Sequence, residues 1–214
     1  MTDTESRPAR RTGRPPLTDR ATLLAAAREL GFSDLTVGAV TARVGVKYST
    51  FYRHFPSLDA LVAALVDDVV TDQVFPDTDQ SWKDELRTLT SALFDVMAAH
   101  PGLAPAMVRL PGSPEALMSA IRRVTDALLA AGFGAEDAVL ATTTAVHMGT
   151  HPWLSADERG VGDGRRRDQV LESEPPFDER VRAVFRDGMD DPPREWTLRR
   201  VELMIAGMET RPTS

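Results

Sequence analysis

Thr36–Phe55 reads TVGAVTARVGVKYSTFYRHF, and two short helical patterns meet in it at Gly45. Thr36 suits a helix start, because its hydroxyl can accept one of the amide protons left unpaired there. Val37, Val40 and Val44 follow at i, i+3 and i+7, one apolar stripe of a two-turn helix. Gly45 can then take a left-handed conformation without a Cβ penalty and turn the chain sharply, with Val46 filling the gap between the two helices. In the second pattern Phe51 and Phe55, four apart, face inward, while Tyr48, Ser49, Tyr52 and Arg53 fall on other sides. A short helix, a tight turn and a second helix with a hydrogen-bonding outer face is the arrangement that lays a helix in the major groove of DNA.

Composition sharpens this reading. The chain has two tyrosines and two lysines, and this short stretch holds Tyr48, Tyr52 and Lys47. The competing reading is an ordinary helical bundle whose tyrosines are partly buried amphipathic residues.

At these residues the chain resembles the TetR family of bacterial transcriptional repressors. The family's recognition segment commonly runs Gly-Val-Ser, three variable positions, then Leu or Phe, Tyr, a polar residue, His or Tyr, and Phe. Here it is Gly45, Val46, Lys47, Tyr48, Ser49, Thr50, Phe51, Tyr52, Arg53, His54 and Phe55, and the match continues through Pro56, Ser57, Leu58, Asp59, Ala60 and Leu61. Two positions depart from the pattern. Leu58 stands where the family usually has a lysine, removing one phosphate contact, and Lys47 replaces a serine, losing a hydroxyl cap and adding a cation near the DNA backbone. The resemblance is specific over residues 18 to 65 and architectural beyond them. It implies that Thr36, Tyr52 and His54 meet phosphates and that Lys47, Tyr48, Ser49 and Thr50 meet base edges, contacts that set register and carry sequence information respectively. Arg53 fits either role, or that of a solvated helix charge.

Upstream, Arg7, Arg10, Arg11 and Arg14 lie among Pro8, Gly13, Pro15 and Pro16 with almost no apolar residues. Such a segment is disordered when free. The run Thr12-Gly13-Arg14-Pro15-Pro16 resembles arms that slide arginine into a narrow minor groove; the plainer alternative is a solubilising tail. Residues 1–56 hold nine Lys or Arg against five Asp or Glu, a net of +4, which leaves −11 of the total −7 for residues 57–214. The DNA-facing end is the basic one, and an acidic remainder speaks against a protein that coats nucleic acid or binds anionic membranes.

The remaining sequence is helical in period, and the expected fold is all-α: a basic arm over residues 1–17, a helix-turn-helix domain over 18–64 and a helical ligand-binding and dimerisation domain over 65–214. The first helix is expected from a Thr18 cap to Gly31, and a fourth after Ser57, with Leu58, Leu61, Val62, Leu65 and Val69 buried. After a break at Pro76, a long helix carries Trp82, Leu86, Leu89, Leu93 and Met97 and stops before Pro101. Helices are further expected over Leu103–Leu110, from a Ser113 cap to Gly132, and over Ala138–His151, Phe177–Phe185 and Trp196–Met208. Residues 155–176, with Gly160, Gly162, Gly164 and arginines 165–167 balanced by nearby acids, are expected as a solvated loop.

One recognition helix covers few base pairs, so a homodimer is expected. The family implies a four-helix interface; Ala141, Ala145 and Gly149 form a small-residue strip and Val201, Met204, Ile205 and Met208 an apolar one. The same stripes could instead pack within one subunit. A small-molecule effector is implied by the resemblance, with Met97, Leu103, Met107, Met118, Ile121, Phe133, Val146 and Trp153 as candidate lining and His100, Thr143 and His147 as polar groups; each is individually also a reasonable core or surface residue.

The chain lacks cysteine, which excludes disulfides and thiolate sites. His147 and His151 are spaced i, i+4 but no third ligand accompanies them, so no metal or other cofactor is expected. No G-x-S-x-G, Walker loop or H-E-x-x-H occurs, so no enzyme is expected. Neither an apolar run of membrane-spanning length nor a signal-peptide core is present, and a cytoplasmic protein is expected. The leading expectation is a regulator of double-stranded operator DNA, a repressor released by a small, mostly apolar molecule. The alternative is a ligand-binding helical scaffold that has lost operator binding.

Overall fold

The computed structural model describes residues 18–72, 80–154, 165–188 and 193–211. These residues form an all-helical chain with no strand among them. Three helices make the N-terminal head: α1 (Arg20–Leu30), α2 (Val37–Val44) and α3 (Tyr48–His54). Their core is Leu23, Ala27, Leu35, Val40, Phe51 and Phe55, all buried. Asp19, not Thr18, caps α1: its carboxylate accepts from the Thr22 amide and the Thr22 hydroxyl, both at 2.8 Å. A carboxylate serves a helix start better than a hydroxyl because it also complements the dipole, and Thr18 is buried instead.

Helix α4 (Leu58–Asp72) leaves the head and joins the body without interruption at residues 64 and 65. Leu61, Leu65 and Val69 are buried along it with Val66 and Val70, so the apolar face is wider than the expected stripe, while Leu58 and Val62 are partly buried. α4 packs on α1 at one end and on the body at the other. An Arg28–Asp68 ion pair at 3.4 Å links α1 to α4.

The body begins with α5 (Trp82–Ala99), capped by Ser81, followed by α6 (Leu103–Arg109), α7 (Glu115–Ala130), α8 (Ala135–Thr150) and a 3-10 turn at His151–Trp153. Ser113 does not cap α7; Pro114 occupies that place with no side-chain cap bond. Pro114, at φ −55° and ψ 143°, is itself extended, so the helix starts at Glu115, one residue later than expected. α8 likewise starts three residues before Ala138, with Glu136 and Asp137 in its first turn. The Pro76 break lies outside the described residues.

The tightest helix pair is α5 with α8. A Cβ added at Gly149 would lie 2.8 Å from both Leu93 Cβ and the Thr90 carbonyl oxygen, and Thr90 Oγ1 donates to the Ala145 carbonyl at 3.2 Å. α9 (Arg165–Leu171) and α10 (Glu179–Gly188) pack on each other, and α11 (Pro193–Glu209) lies across α5 and α8. The expected loop over residues 155–176 therefore contains a helix: Arg165–Leu171 holds no glycine or proline, and helix-forming residues flank its only acid, Asp168. Gly160, Gly162 and Gly164 lie outside the described residues. Phe177 is exposed ahead of α10, whose start is set by Asp178 accepting from the Arg180 amide at 2.8 Å.

Bidentate ion pairs fasten α11 to α5: Arg87 with Glu202 at 2.7 and 2.8 Å, and Arg194 with Asp95 at 2.7 and 3.0 Å. Gly102, at φ 86°, brings the turn between α5 and α6 against the head; a Cβ there would lie 3.0 Å from Phe32 Cβ and 3.2 Å from Ser33 Oγ. Beside it, burial and the nearby Arg28 charge hold the His100 imidazole below its ordinary pKa.

Candidate nucleic-acid interface

Local chemistry sets the angle between α2 and α3. Thr36 Oγ1 accepts from the Ala39 amide at 3.0 Å and starts α2. Gly45 ends it at φ 74°, ψ 35°, and the amides of Gly45 and Val46 both donate to the Thr41 carbonyl, at 2.9 and 3.0 Å. Paired amides on one carbonyl around a left-handed glycine stop a helix within one residue. Lys47 then occupies the cap of α3 without a side-chain cap bond, as the missing serine hydroxyl leads one to expect. Phe51 and Phe55 stack at 5.9 Å in the core, and Arg20 places its guanidinium 4.3 Å from the Phe55 ring while donating to the His54 carbonyl at 3.4 Å. α1 thus clamps the C-terminal end of α3.

The other faces of α3 are open. Tyr48 is 57% and Tyr52 53% exposed, so each keeps part of its ring against the helices and turns the rest to solvent. Lys47, Ser49 and Arg53 are exposed, and Thr50 and His54 are half-buried. Lys47, Thr50, Arg53 and His54 share a groove with Thr18, Gly45 and Val46. Inside it Arg53 donates to Thr50 Oγ1 at 3.1 Å, which holds the guanidinium along the helix surface. Tyr48 is not among the walls of that groove. Its hydroxyl lies over Gly38 in the first turn of α2, on the helix that Thr36 caps. Arg14 lies outside the described residues.

Three residues of this surface escape the sequence reading. Thr18 lines the groove, Arg20 braces α3, and Gly38 seats Tyr48. Only Gly38 carried a signal: a glycine within a short helix costs about 1 kcal/mol relative to alanine and calls for a packing reason.

The other candidate residues distribute as follows. Met97, Leu103 and Phe133 are buried, Phe133 edge-on to Trp82 at 5.0 Å. Met107, Ile121, Val146, Trp153 and His100 are half-buried, whereas Met118, Thr143 and His147 are exposed. The Thr143 hydroxyl donates to its own helix, to the Val139 carbonyl at 2.8 Å. Trp153 stacks edge-on to Phe94 at 5.1 Å, and its buried Nε1 has no hydrogen-bond partner among the described residues. Ala141, Ala145 and Gly149 are buried inside the subunit, the latter two against α5, and Val201, Ile205 and Met208 are also buried, with Met204 half-buried. Close approach by the small-residue strip is therefore spent between α5 and α8 of one chain. Val139 and Leu140 on α8 and Leu203 on α11, the last 77% exposed, remain outside.

A recognition-type helix with an uncovered polar face, mounted on a helical body, defines the class of helix-turn-helix regulators. Family comparison agrees in both parts. The model of the bacterial regulatory proteins of the tetR family matches residues 23–65, and that of the tetracyclin repressor-like C-terminal domain matches residues 75–175. The chain belongs to the TetR family of bacterial transcriptional regulators. No curated protein matches it by sequence.

Solved structures share its fold. A possible TetR family transcriptional regulator from Streptomyces coelicolor A3(2) superposes with a TM-score of 0.74 at 20% identity, over 89% of this chain and 98% of that one. The Streptomyces coelicolor protein ActR, in complex with (S)-DNPA, gives 0.70 at 16% identity over 89% and 96%. BioQ, solved with its natural double-stranded DNA operator, gives 0.61 at 17% identity over 91% and 99%. At these identities the likeness is one of fold. No helix among the described residues is long and apolar enough to cross a membrane.

Proposed function

We propose that the protein is a homodimeric repressor that reads a pseudo-palindromic operator and is released by a small, mostly apolar effector. The observation that carries the reading is the contrast on α3: Phe51 is wholly buried, while Tyr48 and Tyr52 stand more than half exposed beside Lys47, Ser49 and Arg53. Two large aromatics left in water on one short helix are explained by a ligand that covers them, and a tyrosine hydroxyl suits phosphate oxygens. The groove through Lys47, Thr50, Arg53 and His54 supplies positive charge next to them. The acidic remainder of the chain supports DNA contact confined to the head.

The division at residues 64 and 65 falls within α4, which suits a helix that passes motion from body to head. Pairing of subunits is supported by the outward faces of α8 and α11, where Val139, Leu140 and Leu203 offer apolar area with no cover in one chain. An effector site in the body is supported by the Trp153 indole N–H, because a buried donor that meets no acceptor among the described residues is costly. An effector with an acceptor group would satisfy it beside the Phe94 ring.

The test is selection of fragmented host DNA on the purified protein beside a Lys47→Ala, Tyr48→Ala, Tyr52→Ala triple variant. Enrichment of one inverted repeat by the wild type alone is expected. No enrichment by the folded wild type at moderate salt would instead favour a ligand-binding scaffold that has lost its operator.

A further inference from the structure

Gly38 sits in the first turn of an eight-residue helix, on the face turned toward α3. A Cβ built there would lie 2.8 Å from the Tyr48 hydroxyl, closer than a real Cβ approaches any atom, and 3.9 Å from both Tyr48 Cζ and Thr36 Oγ1. The missing side chain is therefore a seat, filled by one oxygen atom of a side chain that is otherwise mostly in water. Two hydroxyls, from Tyr48 and Thr36, flank the same bare turn. Thr36 already uses its lone pair on the Ala39 amide, so its proton is free to point outward. A hydroxyl donor can serve a phosphate or a base edge, and beside Thr36, which the family resemblance places on a phosphate, the phosphate is the nearer partner.

We infer that Gly38 is a positioning residue for DNA binding: it seats the Tyr48 hydroxyl beside Thr36, and so makes Tyr48 a contact to an operator phosphate instead of a reader of bases. This rests on the regulator reading and deepens it. It also reverses the role that the family resemblance implies for Tyr48. An alanine at position 38 displaces the hydroxyl; once Tyr48 is phenylalanine, the nearest ring atom is 3.9 Å away and the alanine fits in ordinary contact.

The test has two arms. The first needs no DNA. The chain has two tyrosines, so protein labelled with fluorotyrosine gives two fluorine resonances, and Tyr48→Phe identifies the Tyr48 signal by removing it. Gly38→Ala is expected to shift that signal and leave the Tyr52 signal in place; an unmoved Tyr48 signal in folded protein overturns the seat. The second arm measures affinity for the duplex that the wild type selects from host DNA and for a library randomised across its half-sites. Gly38→Ala and Tyr48→Phe are each expected to weaken binding about tenfold, the scale of a hydrogen bond to a charged group. The loss is expected to be uniform across the library, and Gly38→Ala is expected to add less than about twofold in the Tyr48→Phe background. A changed base preference in Tyr48→Phe, or equal losses from Gly38→Ala in both backgrounds, overturns the inference. If the wild type selects no duplex, the regulator reading fails and takes the phosphate contact with it, while the fluorine spectra still decide whether Gly38 is the seat.

Discussion

Gly38 in the head and Gly149 in the body stand at the same 2.8 Å from what a side chain would strike, yet their surroundings make them different devices. At Gly149 the obstacles are the Thr90 carbonyl oxygen and Leu93 Cβ, a backbone atom and one bonded directly to the backbone, neither of which can move without separating α5 from α8. At Gly38 the obstacle is the tip of an exposed tyrosine, free to swing into water. The first glycine serves stability and the second serves geometry at a surface. A close contact has a meaning only together with the freedom of the group that makes it.

The largest effect expected along this contrast comes from the head's own core. Phe51→Ala should lower unfolding free energy by about 3–5 kcal/mol, the usual cost of emptying an aromatic site, read from urea unfolding. A loss below about 1 kcal/mol would mean that the head collapses around the gap and that α3 is not rigidly mounted. Next, Gly149→Ala should destabilise by about 1–3 kcal/mol through overpacking, less part of the roughly 1 kcal/mol that alanine gains over glycine in a helix. Gly38→Ala should keep that helical gain and melt at the same temperature as the wild type or higher. Thermal melts of the two variants that move in the same direction would break the comparison.

Smaller again is the clamp between α5 and α11. Glu202→Gln should cost at most about 0.5 kcal/mol, since the Arg87–Glu202 pair is half exposed and screened. Hydrogen bonding to Arg87 holds the Glu202 carboxyl below its usual range. Its contribution is thus complete above the ordinary carboxylate pKa and disappears as pH falls through the lowered one. The variant should flatten the acid limb of the stability profile, and an unchanged limb would leave the clamp without energetic weight.

The smallest expected effect is at the contact between the two regions. His100 has a lowered pKa in the folded state, so the unfolded chain takes up its proton first as pH falls. Stability should therefore decline as pH falls below the ordinary imidazole range, until the lowered pKa of the folded state is passed, and be level above that range. His100→Gln should remove the part of this slope that belongs to the imidazole, measured by melting temperature against pH. A slope that steepens in the variant would mean that neither burial nor the Arg28 charge lowers the imidazole pKa in the folded state.

Much of this molecule was legible before its structure, for a common reason. Thr36, Gly45, Phe51 and Phe55 act through their nearest neighbours in the chain, by a cap, a left-handed turn and a four-residue spacing, and local rules describe such residues. The long helices of the body follow from apolar period in the same way. Boundaries slipped where two local signals competed, as at Thr18 against Asp19 and at Ser113 against Pro114, and a short helix at Arg165–Leu171 was hidden by the charge of its arginines.

What the sequence by itself determined is the all-helical class, the helix-turn-helix and the exposed polar face of α3, because each depends on spacing along one or two helices. Only the tertiary structure decided which partner each face meets. Ala145 and Gly149 could have faced another subunit by pattern alone, and it is the packing of α5 that encloses them. Tyr48 could have turned away from α2, and it is the bare turn at Gly38, ten residues earlier, that leaves room for its hydroxyl there. Periodicity states that a face is apolar or small, and contact in space, which sequence spacing does not encode, states what it is for.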